Sequence, residues 1–223
     1  MIPTLPLQCC KGGELALGPM EARMLPECYH CKYDGQGHPC RSADGNLDYE
    51  KIARAYVESR QAYLTDTVDE EIVARTRWTS DCAFEIEENY PDELFALVLV
   101  AMDVCRDLED AAFVAAGLVE NMLVKHGPEL IDAIETMAWA SAKFRYILSG
   151  AWSQNGSVDA DVWARVGRAV AEGGRMSNDG RGPWDGAPVS VLDDAAAMAL
   201  LQESVTGAAL RAGLIAQDGA DDA

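Results

Sequence analysis

Five of the seven cysteines lie within the first 40 residues, and two of them are the first and last residues of the stretch CYHC at residues 28–31. A C-x2-C turn presents two thiolates to one metal ion, and structural zinc takes four nitrogen or sulfur ligands. Because an all-thiolate set leaves no open coordination position, the sequence predicts a structural zinc site and not a catalytic one. The predicted ligands are Cys28, Cys31, Cys40 and either Cys9 or Cys10, with His38 as a substitute.

Two other interpretations of this segment stay open. Four of the five thiolates could hold an iron–sulfur cluster, although their spacing matches no common cluster motif. The thiols could also be redox-active groups on a loose arm. Glycine and proline are frequent here and apolar periodicity is weak, so the segment needs a cross-link to hold a shape.

The rest of the chain offers little catalytic chemistry. His126 is followed by Gly127 and Pro128, which is typical of a helix end where an imidazole meets the negative end of the helix dipole. No nucleophile elbow, zinc-protease or Walker motif occurs in the sequence. The glycine-rich stretch at residues 180–186 follows no strand that would present it to a phosphate. The sequence therefore predicts that the protein is not an enzyme.

The chain is strongly acidic, with 18 basic and 37 acidic residues and a formal net charge of -19. A surface that binds nucleic-acid phosphates is basic, so direct nucleic-acid binding is not expected. Between Leu47 and Asp110 there are 17 acidic and 6 basic residues, which concentrates the charge. Such a run is commonly a solvated face, but it can also steer a basic protein partner. The residues predicted to bind that partner are Asp66, Asp69, Glu70, Glu71, Asp81, Glu85, Glu87 and Glu88.

The elements that must carry these residues have helical periodicity. Apolar residues recur at i, i+3, i+4 and i+7 from Tyr49 to Leu64. A second helix is predicted over residues 80–89, and Pro91 at a first helical position begins a third that runs to Val104. The following helices are predicted over residues 108–126 (closed by Gly127), 129–140, 142–148, 157–172 and 190–212.

Short links between successive amphipathic helices predict antiparallel hairpins, and no alternating pattern is long enough for a sheet. The fold class is therefore all-α. The hairpins resemble HEAT-type repeats, although no period of about 40 residues recurs. By period, Trp139, Trp152 and Trp163 fall on inner faces. The predicted units are a Cys-rich module over 1–46, a helical domain over 47–172, a Gly/Pro-rich loop over 173–189, a final helix over 190–213 and a flexible tail over 214–223.

Between Trp78 and Trp152 the chain contains the segments PDELFALVL, AAGLVENMLVKHG, LIDAIETMA and FRYILSGAW. This stretch, roughly a third of the chain, resembles an uncharacterised bacterial domain family. Its members share an LExLL-type helix ending in HG, followed by a helix with an FRxxLxGxW-like end. The resemblance implies a helical domain of unknown function. It rests mainly on Gly117, His126, Gly127, Phe144, Arg145, Gly150 and Trp152.

Together these features predict a non-enzymatic, acidic, all-α binding protein with a zinc-stapled N-terminal module. The specific hypothesis is a bacterial or phage inhibitor, such as an immunity protein or an anti-CRISPR protein. Its carboxylates would imitate phosphates and occlude a basic, often nucleic-acid-processing, partner. The alternative is a zinc-dependent or redox-sensing regulator that uses the cysteines.

The sequence also predicts a cytoplasmic protein without a membrane-spanning segment. The longest apolar run, residues 94–102, is stopped by Asp103, whereas a spanning helix needs about 20 residues. The N-terminus lacks the basic start and long apolar stretch of a signal peptide.

Overall fold

The computed structural model describes residues 39–215, except residues 44, 64–66, 154–155, 172 and 178–189. Within these ranges the regular secondary structure is helical, and the extended segments form only two isolated β-bridges, Arg41 with Leu47 and Arg175 with Val191. The prediction of an all-α fold is confirmed for the described part of the chain.

The helices follow one another closely along the chain. The first half contains α1 (Tyr49–Ser59), a 3-10 turn (Arg60–Tyr63), α2 (Glu70–Thr76), α3 (Trp78–Asn89) and α4 (Pro91–Val104). Next, α5 (Leu108–Val114) continues through a π-helical turn (Ala115–Val119) into α6 (Glu120–Ala140). The remaining helices are α7 (Ala142–Leu148), α8 (Ala160–Val170), α9 (Asp194–Leu200) and α10 (Val205–Arg211).

Helix α4 is the centre of the fold. Its residues 94–102 are all 0% exposed, because α1, α3, α6, α7 and α10 pack around it. Pro91 at the start, followed by Asp92 and Glu93 in the first turn, favours the beginning of a helix at this point. A run without polar residues is stable in a helix only when neighbours cover every side of it.

Cys40 belongs to the helical unit, although the sequence places the boundary of that unit at residue 47. The side chain of Cys40 is buried in the hydrophobic core, and its carbonyl accepts a hydrogen bond from the Asp48 amide at 2.9 Å. Arg41 Nη1 donates to the Gly45 carbonyl at 2.8 Å and closes the same turn. This turn joins Cys40 to the start of α1. The helical unit therefore begins no later than Cys40.

We expect a chain that begins at Pro39 to melt cooperatively, and at a higher temperature than a chain that begins at Leu47. The shorter chain loses the buried Cys40 side chain and the acceptor of the Asp48 amide, worth about 1–3 kcal/mol together. Thermal melts followed by circular dichroism measure the difference. Equal melting temperatures would show that the turn adds no stability, and two unfolded chains would show that the helices depend on residues before Pro39.

The helix end predicted at His126 and Gly127 is wrong, because α6 runs without interruption through Pro128. The helix forgoes one backbone hydrogen bond at Pro128, since proline has no amide hydrogen. Gly127 has a packing role here and does not cap a helix. A Cβ atom at Gly127 would lie 2.8 Å from Cγ1 of Val162, so the glycine allows α8 to pack against α6.

We expect Gly127→Ala to lower the free energy of unfolding by about 1–3 kcal/mol, although alanine is the better helix former. The added methyl group has no room beside Val162, so the two helices must move apart. In a Val162→Ala background the same substitution should cost less, and a double-mutant cycle in urea measures that coupling. Stabilisation by Gly127→Ala in both backgrounds would contradict the close helix contact.

The final helix predicted over residues 190–212 is divided into α9 and α10 by a turn at residues 201–204. The carboxylate of Asp103, at the end of α4, accepts the amide of Thr206 at 3.0 Å at the start of α10. The buried Lys143 ammonium donates to the carbonyls of Leu201 at 2.8 Å and Glu203 at 3.2 Å, just after α9. A carboxylate at a helix start and an ammonium at a helix end both suit the helix dipole. These contacts stabilise the break.

Of the three tryptophans predicted to face inward, two have side chains that are at least partly buried. Trp163 packs against the core, and Trp152 is half-buried. Trp139, however, is 70% exposed near the end of α6. The prediction for Trp139 is wrong, because Met137 and Ala138 occupy the inward positions of this turn.

Candidate partner-binding surface

Helix α3 places a phenylalanine among three of the predicted acidic residues. Positions 81, 84, 85 and 88 are spaced i, i+3, i+4 and i+7, so they lie on one side of a helix. We call Asp81, Phe84, Glu85 and Glu88 the α3 face. The opposite side packs against the protein through the buried residues Cys82, Ala83 and Ile86. Phe84 is 61% exposed, which is unusual for so large an apolar side chain.

The exposed ring of Phe84 lies next to a lysine side chain that also forms an ion pair. Lys125 of α6 lies over the ring, with Nζ 5.2 Å from the ring centroid, and also forms an ion pair with Glu88. A cation above an aromatic face attracts it, so Lys125 restrains the ring as well as the Glu88 carboxylate. The α3 face therefore presents a positioned aromatic group between carboxylates, which requires little ordering when a partner binds.

Helix α2 carries further predicted acidic residues, but they do not all have the same role. Asp69 caps the helix, and its carboxylate accepts the amides of Glu71 at 3.0 Å and Ile72 at 3.1 Å. Glu70 and Glu71 are exposed in the first turn, where negative charge suits the helix dipole. Asp69 thus stabilises α2, and Glu70 and Glu71 add charge to the surface. Asp66 lies outside the described residues.

Glu87 does not belong to the exposed set. It is only 6% exposed, and its carboxylate accepts a hydrogen bond from Asn121 Nδ2 at 2.9 Å and lies 3.7 Å from Lys125 Nζ. Burial raises the pKa of the Glu87 carboxyl, while Asn121 and Lys125 act in the opposite direction. His126 Nε2 lies 2.8 Å from the Glu87 carbonyl oxygen. Glu87 and His126 therefore join α3 to α6.

Of the predicted zinc ligands, the structure describes only Cys40. Among residues 39–215, outside the gaps named above, no three His, Cys, Asp or Glu side chains come together as metal ligands. Cys9, Cys10, Cys28, Cys31 and His38 lie outside the described residues. Of the cysteines in the helical body, Cys105 is buried and donates to the Ala101 carbonyl at 3.2 Å. Burial raises the pKa of its thiol to about 12, which makes it a poor nucleophile.

The zinc site stays a prediction with a direct test. We expect the purified protein to hold about one equivalent of zinc, and Cys28→Ser to lose it without melting the helices. The matched control is Cys105→Ser, which changes a thiol of the helical body and should keep the metal. Elemental analysis of protein prepared without chelator measures the content. Protein without metal would refute the site, and iron with visible absorbance would show a cluster instead.

The part of the chain that resembles known proteins lies within the helical body. Residues 66–174 match a family of unknown function, DUF6869. The matched range begins before α2 and ends after α8, so it contains the α3 face and the buried α4. This agrees with the predicted resemblance to an uncharacterised domain family. No curated protein and no solved structure matches the chain. Within the described residues, no helix is both long and apolar enough to cross a membrane.

Sequence reasoning missed a buried acidic residue that also lies in the matched range. The Asp110 side chain is 0% exposed and accepts from Arg60 Nη2 at 3.0 Å and from Arg106 Nε at 3.2 Å. It also accepts the Arg106 amide at 3.1 Å. Asp110 thereby ties the 3-10 turn after α1 to the start of α5. Its acidic neighbours in sequence are exposed, so only the packing distinguishes it from them.

Proposed function

We propose that the protein is a non-enzymatic binding protein that docks a basic protein partner on the α3 face. The observation that supports this most directly is Phe84, an exposed aromatic ring that Lys125 positions between carboxylates. A few aromatic anchors supply most of the energy of many interfaces, and surrounding polar groups exclude water from them.

The negative charge of the protein favours a partner with a positively charged surface. With a formal net charge of -19 the protein repels acidic molecules, including nucleic acids, at long range. Asp81, Glu85 and Glu88 can steer lysine and arginine side chains toward Phe84, and such steering raises association rates more than affinity. We therefore expect the partner to offer an apolar pocket rimmed by basic residues.

The more specific form of the proposal is an inhibitor. Carboxylates spaced along α2 and α3 offer negative charge to a site built for phosphates, so they could occupy the basic groove of a nucleic-acid-processing protein. An immunity protein or an anti-CRISPR protein from a bacterium or a phage would act in this way. The feature in favour is that two consecutive helices both carry acidic residues, Glu70 and Glu71 on α2 and Asp81, Glu85 and Glu88 on α3.

Affinity capture from the native host tests the proposal when wild-type protein is compared with two variants. Phe84→Ala removes the proposed anchor. Trp139→Ala is the matched control, because it also removes an exposed aromatic side chain, but one that lies on α6 and outside the α3 face. We expect wild type and Trp139→Ala to retain the same basic protein and Phe84→Ala to lose most of it. Equal capture by all three, or loss with Trp139→Ala alone, would refute docking at the α3 face.

The alternative, a zinc-dependent or redox-sensing regulator, is supported by the position of Cys40. This residue is both a predicted ligand and part of the helical core, so it would connect the N-terminal segment to the helices. Capture by Cys28→Ser separates the two functions. Loss of the partner with Cys28→Ser and normal binding by Phe84→Ala would favour the regulator.

A further inference from the structure

An open cleft of about 590 Å³ lies at the C-terminal end of α4, where α1 and the turn between α9 and α10 meet it. The cleft is lined by Arg54 of α1, by residues 103–106 and by residues 201–204. Sites for small organic ligands commonly have volumes of about 300–1,000 Å³, so the cleft has the size of such a site.

Two guanidinium groups border the same space from different elements. Arg54 comes from α1 and Arg106 from the link between α4 and α5, and both also line an adjoining cavity of about 230 Å³. Their side chains are 63% and 61% exposed. Both guanidinium groups are therefore accessible to a ligand that enters the cleft from solvent.

Each guanidinium group donates hydrogen bonds to a carboxylate along one edge, and its other N–H groups remain available to a ligand. Arg54 donates to Glu50 through Nε at 2.8 Å and Nη2 at 2.6 Å, and Arg106 donates to Asp110 through Nε. In the part of the chain that the structure describes, Nη1 of Arg54 and both Nη groups of Arg106 have no hydrogen-bond acceptor. A guanidinium fixed in this way presents further N–H groups in a planar arrangement that suits carboxylate or phosphate oxygens.

Two acidic residues, Asp103 and Glu203, also line the cleft, and Glu203 is exposed. The Asp103 carboxylate accepts two backbone amides at the start of α10 and lies near the buried ammonium of Lys143. Asp103 therefore has little remaining capacity to attract a cation into the cleft. Val104 and Leu201 add apolar surface beside the guanidinium groups.

We propose that this cleft binds a small organic anion, whose carboxylate or phosphate group lies between Arg54 and Arg106 and whose carbon skeleton contacts Val104 and Leu201. The inference goes beyond the proposed function, because the site shares no residue with the α3 face. It adds a ligand site to a protein whose overall charge is negative. The ligand must therefore be recognised at short range by hydrogen bonds, and its binding should weaken with added salt because both guanidinium groups are exposed.

Isothermal titration with inorganic phosphate and, separately, with succinate tests the site and distinguishes the two anionic groups. We expect one of the two to bind saturably at one equivalent, with a dissociation constant below about 1 mM. Arg54→Gln and Arg106→Gln should each weaken binding by about tenfold, since each removes a charge-assisted hydrogen-bond pair. Arg54→Gln carries the test alone if Arg106→Gln lowers the helical content, because Arg106 also pairs with the buried Asp110.

The matched control is Arg77→Gln, which removes one exposed positive charge outside the cleft. Binding should be unchanged in this variant. The proposal is overturned if neither anion binds wild type saturably with a dissociation constant below about 1 mM. It is also overturned if Arg77→Gln weakens binding as much as Arg54→Gln, since binding would then reflect net charge alone.

Discussion

Asp110→Ala should lower the free energy of unfolding by about 3–5 kcal/mol, because it leaves two arginines without the buried carboxylate that pairs with them. Arg60 Nε and Nη2 and Arg106 Nε all donate to Asp110, at 3.2, 3.0 and 3.2 Å, and none of these bonds survives the substitution. Domains of this size are commonly stable by only about 5–15 kcal/mol. Urea denaturation followed by circular dichroism measures the loss.

Glu109→Ala is the matched control for this substitution. Glu109 pairs with the same arginine at 2.7 Å, but its side chain is 72% exposed. Exposed ion pairs contribute about 0–1 kcal/mol, so Glu109→Ala should have a small effect. Similar losses for the two variants would contradict the role of Asp110 as the buried link between the 3-10 turn and α5.

The α3 face should dominate binding to the basic partner. Phe84→Ala should weaken binding by about thirtyfold, the effect of removing an anchor worth about 2 kcal/mol, mainly through faster dissociation. Asp81→Lys with Glu85→Lys should slow association by about tenfold or more and reduce its dependence on salt. These two reversals leave the Glu88–Lys125 pair intact, so Phe84 keeps its neighbour. Surface plasmon resonance at several salt concentrations separates the two rates.

Glu87→Gln provides the control within the same helix. Glu87 is next to Glu88 in sequence but is buried, so its neutralisation should leave both rates unchanged. Because burial raises the folded-state pKa of Glu87, its ionisation above the unfolded pKa opposes folding, and Glu87→Gln should not lower stability near neutral pH. A loss of binding with Glu87→Gln equal to that with Asp81→Lys and Glu85→Lys would show that general acidity, and not the α3 face, attracts the partner.

The parts of the fold that local chemistry determines could be predicted from the sequence. The limits of α4, Pro91 and Val104, agree with the prediction, because a proline at the first position and acidic residues in the first turn act locally. The break between α9 and α10 has a local signal in Ser204, which caps α10 by accepting the Gly207 amide at 2.9 Å. The contacts of Asp103 and Lys143 that also stabilise it come from distant parts of the chain and could not be predicted. The same holds for Gly127 and Pro128, which resemble a helix end until Val162 of α8 is considered.

The sequence predicts the candidate site only in part. Helical periodicity also points to one residue that the prediction leaves out, Phe84. Charge density predicted Asp81, Glu85, Glu87 and Glu88 together, although helical periodicity separates Glu87 from the other three. The same periodicity places Phe84 beside Asp81, Glu85 and Glu88. Phe84 is absent from the predicted site because that prediction rests on charge alone, and its exposure follows from the burial of Cys82, Ala83 and Ile86 on the opposite side of the helix.

Site-specific photocrosslinking in the native host tests docking at the α3 face most directly. Phe84→p-benzoylphenylalanine places a photoreactive group at the proposed anchor, and Trp139→p-benzoylphenylalanine places the same group at the control position on α6. We expect position 84 to crosslink to one basic protein and position 139 not to crosslink to it. A crosslink to that protein from position 139 alone, or no crosslink from position 84, would contradict the account.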